Sequence, residues 1–323
     1  MEMNRITVVI PCYNAENYID RCVDSLLKQT YQNFDVIFID DASKDNTVKK
    51  LENIVLNCNL NIKIIKNEEN SGPAKSRNRG ILSATTEYIT FCDADDSYEP
   101  DFLSKLFNEL EKNKADLVVC GYSVVDEKGN KEKRPLNFNG VLRSKADILK
   151  LDVDSLCMLM VKTNIMKDTL LPNIRNGEDM AVVPLLMIKS NSCVALGECL
   201  YNYCRRNNSA SEKPTMKVVD SFISSFEFIK THFPKEYYEI EEYIGIRNLL
   251  YAGLITLFSF SFDVKKANRI LYDFEKSYPN WIQNKYINEM LNYKKIVLKM
   301  ANKHAYWGIW ILAKLRRSLT RNN

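Results

Sequence analysis

At 323 residues the chain is longer than one ordinary core, so its length predicts two domains, and 46% hydrophobic residues are enough to fill a sizeable interior. The formal net charge is only +4 but is unevenly placed: residues 290–323 carry eight basic side chains and no acid, which leaves the remainder mildly acidic. That balance excludes a nucleic-acid-binding surface on the body of the chain and leaves the basic tail suited to an anionic surface.

Nine cysteines stand as singletons with no Cys-x-x-Cys pair, the pattern of reduced, mostly buried thiols in a cytoplasmic protein. The first ten residues run straight into a strand-like segment, so no signal peptide is expected. The longest apolar stretch, Leu249 to Phe262, is about 14 residues and is broken by Thr256, Ser259 and Ser261, short of the ~20 a spanning helix needs.

The first 120 residues alternate strand and helix signals. Ile6–Ile10 is a β-branched run; Ile19, Cys22, Val23, Leu26 and Leu27 then share a helical face. Strands follow at Phe34–Asp40, Ile62–Ile65, Tyr88–Cys92 and Leu117–Cys120. The intervening helices are marked by Val48, Leu51, Ile54 and Val55, by Ala74–Ser83, and by a segment opening at Pro100, a favoured first helical position. The alternation predicts a mainly parallel sheet flanked by helices. Residues 121–175 are mixed, with a solvated hairpin-like stretch at 126–134, and from about 214 onward only helical patterns remain. The expected organisation is an α/β domain over 1–213, divided at 120 into a nucleotide-binding and an acceptor-side half, and a helical domain over 214–323.

Such sheets bind ligands beyond the carboxyl ends of their strands. The residues there are Pro11-Cys12-Tyr13-Asn14, Asp40-Asp41-Ala42-Ser43 and Asp93-Ala94-Asp95-Asp96. A lone Asp in such a place is usually a helix cap. Three carboxylates within four residues are different, because they repel one another unless a cation or hydrogen-bond donors offset them, and a hard divalent ion bridging to phosphate would do so. The first glycine is Gly72, so the turn after the first strand is neither a dinucleotide loop nor a P-loop.

The segments Val8–Asn14, Ser25–Tyr31, Ile39–Thr47, Asn70–Ala74 with Arg77–Gly80, and Glu87–Asp96 together resemble the opening of the family 2 glycosyltransferases. The resemblance implies a GT-A fold and transfer of a sugar, with inversion, from a nucleotide-sugar donor, most simply a UDP-sugar, to a lipid- or protein-linked saccharide acceptor of a bacterial surface glycan. It implies Mn²⁺ or Mg²⁺ as cofactor, with Asp95 on the metal and Asp93 on the ribose side of the donor. Pro11 and Tyr13 would border the base, Asp41 would bond its edge, and Arg77 would lie near the nucleotide. Asp96 is expected only to cap the segment leading to Pro100. Cys12 and Ala42 depart from the commonest residues of the pattern.

Downstream, Asn176-Gly177-Glu178-Asp179 precedes a helical apolar run. On the residues alone this is a helix start with acids in its first turn; the resemblance makes Asp179 the catalytic base. Tyr201–Ser209 is similar to the family's aromatic-basic-Ser loop that closes on the diphosphate. Cys204 stands at its first basic position, and Arg206, in preference to Arg205, with Ser209 is assigned to donor binding. Near the C-terminus, Tyr293, Val297, Met300, His304, Trp307 and Ile311 fall near one helical face; packing on the protein, a membrane-surface helix with Trp307 and Trp310 at headgroup level, and self-association are all open. The expected location is cytoplasmic, with peripheral contact at the inner face of a membrane as one option. Two other readings are a non-catalytic saccharide-binding scaffold and a sugar nucleotidyltransferase, the latter disfavoured by the missing glycine-rich loop.

Overall fold

The computed structural model describes residues 4–151, 153–205 and 214–321. The chain divides into two compact units, Met1–Ser209 and Ala210–Asn323.

In the first unit, β1 (Ile6–Cys12), α1 (Ile19–Leu27), β2 (Phe34–Asp40), α2 (Thr47–Asn57), β3 (Asn61–Lys66), α3 (Pro73–Ser83) and β4 (Tyr88–Phe91) alternate as expected. After them come β5 (Ser97–Tyr98), α4 (Phe102–Asn113), β6 (Leu117–Val125), β7 (Lys131–Arg134), β8 (Gly140–Val141), β9 (Leu159–Lys162), α5 (Thr163–Lys167), α6 (Glu178–Lys189) and β10 (Cys193–Cys204). One sheet has the order β3-β2-β1-β4-β9-β6-β10-β5, with β7 on β6 and β8 on β10. The block β3-β2-β1-β4 is parallel, and β10 is parallel to β6. Between these blocks β9 runs antiparallel to both β4 and β6, so the sheet is mixed.

Val8, Val9, Ile10, Phe38, Ile39 and Phe91 are fully buried, as strands covered on both faces require. Leu27, expected inward on α1, is 44% exposed. Pro100 lies before α4 rather than in it, and Asp101 is the N-cap. Gly72 sits at φ +87° immediately before Pro73, a backbone angle glycine adopts without strain, and so sets the start of α3.

Gly80 lets α3 lie directly on β1 and β2: a Cβ there would stand 2.4 Å from Val9 Cγ1 and 2.9 Å from Ile39 Cδ1. Gly80→Ala is therefore expected to lower unfolding free energy by about 1–3 kcal/mol through overpacking, read as a lower urea midpoint at unchanged slope.

The described residues of the second unit contain no strand. Its helices are α7 (Met216–His232), α8 (Tyr238–Gly245), a π-helical turn (Ile246–Gly253), α9 (Leu254–Phe260), α10 (Val264–Ser277), α11 (Asn292–Asn302) and α12 (Tyr306–Arg321). The stretch Lys235–Phe260 is 26 residues and holds an 18-residue window with a mean hydropathy of 1.3, enough by length and composition to cross a membrane. Yet 67% of that window is buried, the pattern of a core helix. The single helical face expected through His304 is broken: His304 takes φ +52° and separates α11 from α12.

Candidate active site

The loops after β1, β2 and β4 share one rim because their strands are neighbours in register, Cys12 beside Asp40 and Val9 beside Phe91. The chain leaves β1 toward β2 and β3 and returns to β4 on the other side, which opens a crevice at the carboxyl ends.

At the end of β4, carboxylate oxygens of Asp93, Asp95 and Asp96 lie within 4.8 Å of one another. The three are not equivalent. Asp96 is buried and accepts hydrogen bonds from the Tyr201 hydroxyl and from the Cys204 backbone N–H (2.7 Å). Burial, with the charges of Asp93 and Asp95, pushes its pKa well up. Asp96 is thus no helix cap; it fastens β10 beneath the cluster. Asp93 and Asp95 stay partly exposed, and Arg21 of α1 donates to the Asp95 backbone carbonyl. The residues fit a divalent cation: two partly exposed carboxylates beside a buried third supply the hard oxygen donors it prefers.

Arg77, on α3, is 4% exposed and joins this cluster to α6. Its Nη2 donates to Asp93 Oδ1 (2.7 Å), and its Nη1 to Glu178 Oε1 (2.8 Å) and Asp179 Oδ1 (3.5 Å). Arg77 Nε is buried with no partner among the described residues. The guanidinium expected near a nucleotide is therefore already committed to three carboxylates. Glu178 and Asp179 occupy the first turn of α6, where the helix dipole favours negative charge.

Asp179 also accepts from the Leu156 N–H (3.2 Å), and its side chain is 20% exposed. Burial pushes its pKa up to about 7, against the pull of Arg77 and with the help of Glu178 and Asp93. A carboxylate poised near neutrality is matched to proton transfer.

The base-side residues are less uniform. Pro11 is the last residue but one of β1, and Tyr13, 48% exposed, follows the strand between Cys12 and an Asn14 at φ +48°. Asp41 is buried and its oxygens accept from Asn67 Nδ2 (2.6 Å), Ser71 N (3.0 Å), Ser71 Oγ (3.1 Å) and Gly72 N (2.8 Å). Burial pushes its pKa up, but these bonds outweigh it and hold Asp41 below the usual carboxylate range. Its oxygens hold the loop 67–72 at the end of β2. Its neighbour Asp40 accepts from Ser43 N (3.2 Å) through Oδ2, while Oδ1 is buried with no partner among the described residues. Arg206 and Ser209 lie outside the described residues. All nine cysteines are free.

Sequence reasoning missed three parts of this arrangement: Arg77 as the bridge to Glu178 and Asp179, the anchoring of Asp96 by Tyr201, and the orphaned oxygen of Asp40. Only Arg77 carried a local signal, as a basic residue on a helix whose inward face is otherwise small and apolar.

Comparison with known proteins agrees with the geometry. The chain is 28% identical over 230 residues to TuaG of Bacillus subtilis, a glycosyltransferase provisionally assigned to teichuronic acid biosynthesis, covering 71% of this chain and 90% of that protein. Its fold is that of TarS from S. aureus, solved with UDP, at a TM-score of 0.71, 20% identity and coverage of 99% of this chain and 92% of TarS 1–349. Mannosyltransferase PcManGT from Pyrobaculum calidifontis, solved with GDP-Man and Mn²⁺, matches at a TM-score of 0.52 and 14% identity over 98% of this chain and 88% of that one. The family model described as Glycosyl transferase family 2 matches residues 7–170. With about half its length under that model and the sheet and crevice of the GT-A fold, the chain belongs to glycosyl transferase family 2 and is a glycosyltransferase.

Proposed function

We propose that this glycosyltransferase moves a sugar from a UDP-sugar to a saccharide acceptor of a bacterial surface glycan, with inversion and with Asp179 as general base. The observation that carries the reading is that one buried guanidinium, Arg77, holds both the acidic cluster at β4 and a carboxylate poised near pH 7 on α6. In the displacement, an acceptor oxygen forms the new bond to the anomeric carbon as the bond to the diphosphate breaks. The acceptor hydroxyl proton passes to Asp179. Asp95 would hold Mn²⁺ or Mg²⁺, which when bound supplies positive charge against the departing diphosphate, and Asp93 lies on the ribose side of the donor.

Pro11 and Tyr13 flank the base in this reading, and Asp41 bonds its edge. Arg206 and Ser209 remain assigned to the diphosphate side. The catalytic machinery belongs to residues 1–213, with the donor side in 1–120 and the acceptor side in 121–213. The free thiols fit a reducing, cytoplasmic compartment.

The test is a nucleotide-sugar screen for hydrolysis and transfer. EDTA is expected to cut turnover about tenfold or more, with recovery on adding Mn²⁺ or Mg²⁺, and Asp95→Ala to resist that recovery. Full turnover after complete metal removal, or an undiminished Asp95→Ala protein, would sink the metal-assisted mechanism.

A further inference from the structure

We propose that the outward face of α12, together with Phe262, is a docking surface for an anionic lipid bilayer. The helix is apolar on two opposite sides. Tyr306, Ile309 and Ala313 point into the second unit and are buried. Trp307, Ile311 and Leu315, spaced i, i+4, i+8, form a second stripe that is 65%, 48% and 57% exposed. A helix apolar on both sides is ordinarily covered on both.

The stripe is extended by a packed aromatic group. Phe262, 42% exposed at the turn before α10, lies 5.2 Å from Trp307 and 5.9 Å from Trp310 by ring centroids, and the two indoles are 5.4 Å apart. Indoles held at a surface with one end apolar and the other wet are suited to the headgroup boundary.

The charges decide between occupants. Residues 290–323 hold eight cations and no acid. Lys314 Nζ (3.1 Å) and Arg317 Nη1 (2.9 Å) bond the Ser259 carbonyl, and Arg316 Nη1 the Tyr251 hydroxyl (2.9 Å), so these three cations brace α12 against its own unit. Lys299 and Lys303 are exposed on the neighbouring segment. A symmetric second copy would set the same patch against itself and bring these cations together. An anionic bilayer instead meets each cation with opposite charge, worth about 1 kcal/mol apiece near the surface.

The experiment uses the full chain and sucrose-loaded vesicles of phosphatidylcholine, alone or with about one third phosphatidylglycerol. The protein is expected to pellet with the anionic vesicles, to lose this in high salt, and to show a blue shift of tryptophan emission. Trp307→Ser/Ile311→Ser/Leu315→Ser is expected to lower the partition coefficient about tenfold or more. Lys299→Glu/Lys303→Glu, which leaves the apolar stripe intact, is expected to weaken anionic binding selectively. Circular dichroism confirms that each variant is folded, and donor hydrolysis, the property of the other unit, stays unchanged. Failure of the wild type to pellet, pelleting equal to wild type by the folded triple variant, or a wild-type dimer that the triple variant dissolves would overturn the proposal, the last in favour of a second copy.

Discussion

Asp179→Asn is expected to retain donor binding and to lose transfer by about 10²–10⁴-fold, the usual contribution of a positioned general base. Asparagine keeps the shape of the side chain and can still accept from the Leu156 N–H, so the first turn of α6 is preserved. It cannot take a proton. The pH dependence follows the same logic. The base works when ionised, so kcat/KM of the wild type rises with pH through about 7. Stability runs the other way. Because burial lifts the folded-state pKa to about 7, above the ordinary carboxylate value, the folded protein holds the proton more tightly, and its stability falls between about pH 4 and 7 and then levels off. Asp179→Asn removes both the activity limb and this share of the stability slope. Steady-state kinetics and urea melts across pH read the two, and transfer within twofold of wild type would remove Asp179 from the chemistry.

What was legible in the sequence was what is local in the chain. The β-branched runs of β1 and β2, the acids immediately after β4 and the Glu-Asp pair opening α6 are each written within a few consecutive residues. The insertion of β9 was not legible, because Leu159–Lys162 is four residues with no alternation and owes its place to pairing with β4 and β6. Nor could spacing show that Asp96 turns inward while its neighbours face out: its partners Tyr201 and Cys204 lie more than a hundred positions away. Asp41 shows the same limit in reverse. An acid at a strand end suits ligand binding, but nothing local announces that Asn67, Ser71 and Gly72 also donate to it.

Arg77 is where these long-range pairings converge, and Arg77→Gln is expected to act on stability and on the pH profile at once. The substitution leaves Asp93, Glu178 and Asp179 without their shared cation. Breaking a buried ion cluster by removing one partner costs about 3–5 kcal/mol, a loss measurable as a lower urea midpoint. With the positive charge gone, burial and the two neighbouring carboxylates favour the protonated form of Asp179, against the hydrogen bond from the Leu156 N–H. The ascending limb of kcat/KM is therefore expected to move up by about one to three pH units. Arg77→Lys separates charge from geometry. An ammonium keeps the limb near its wild-type position, but it is a compact point charge without the planar fork that reaches Asp93 through Nη2 and Glu178 through Nη1 together. Lysine is thus expected to loosen the tie between the acidic cluster and α6, raising the KM for donor and metal more than it shifts the pH profile. Should Arg77→Gln prove too unstable to assay, the lysine protein alone decides: a limb that moves upward despite the retained charge, or unaltered kinetics throughout, would show that the guanidinium neither tunes the base nor holds it to the donor cluster.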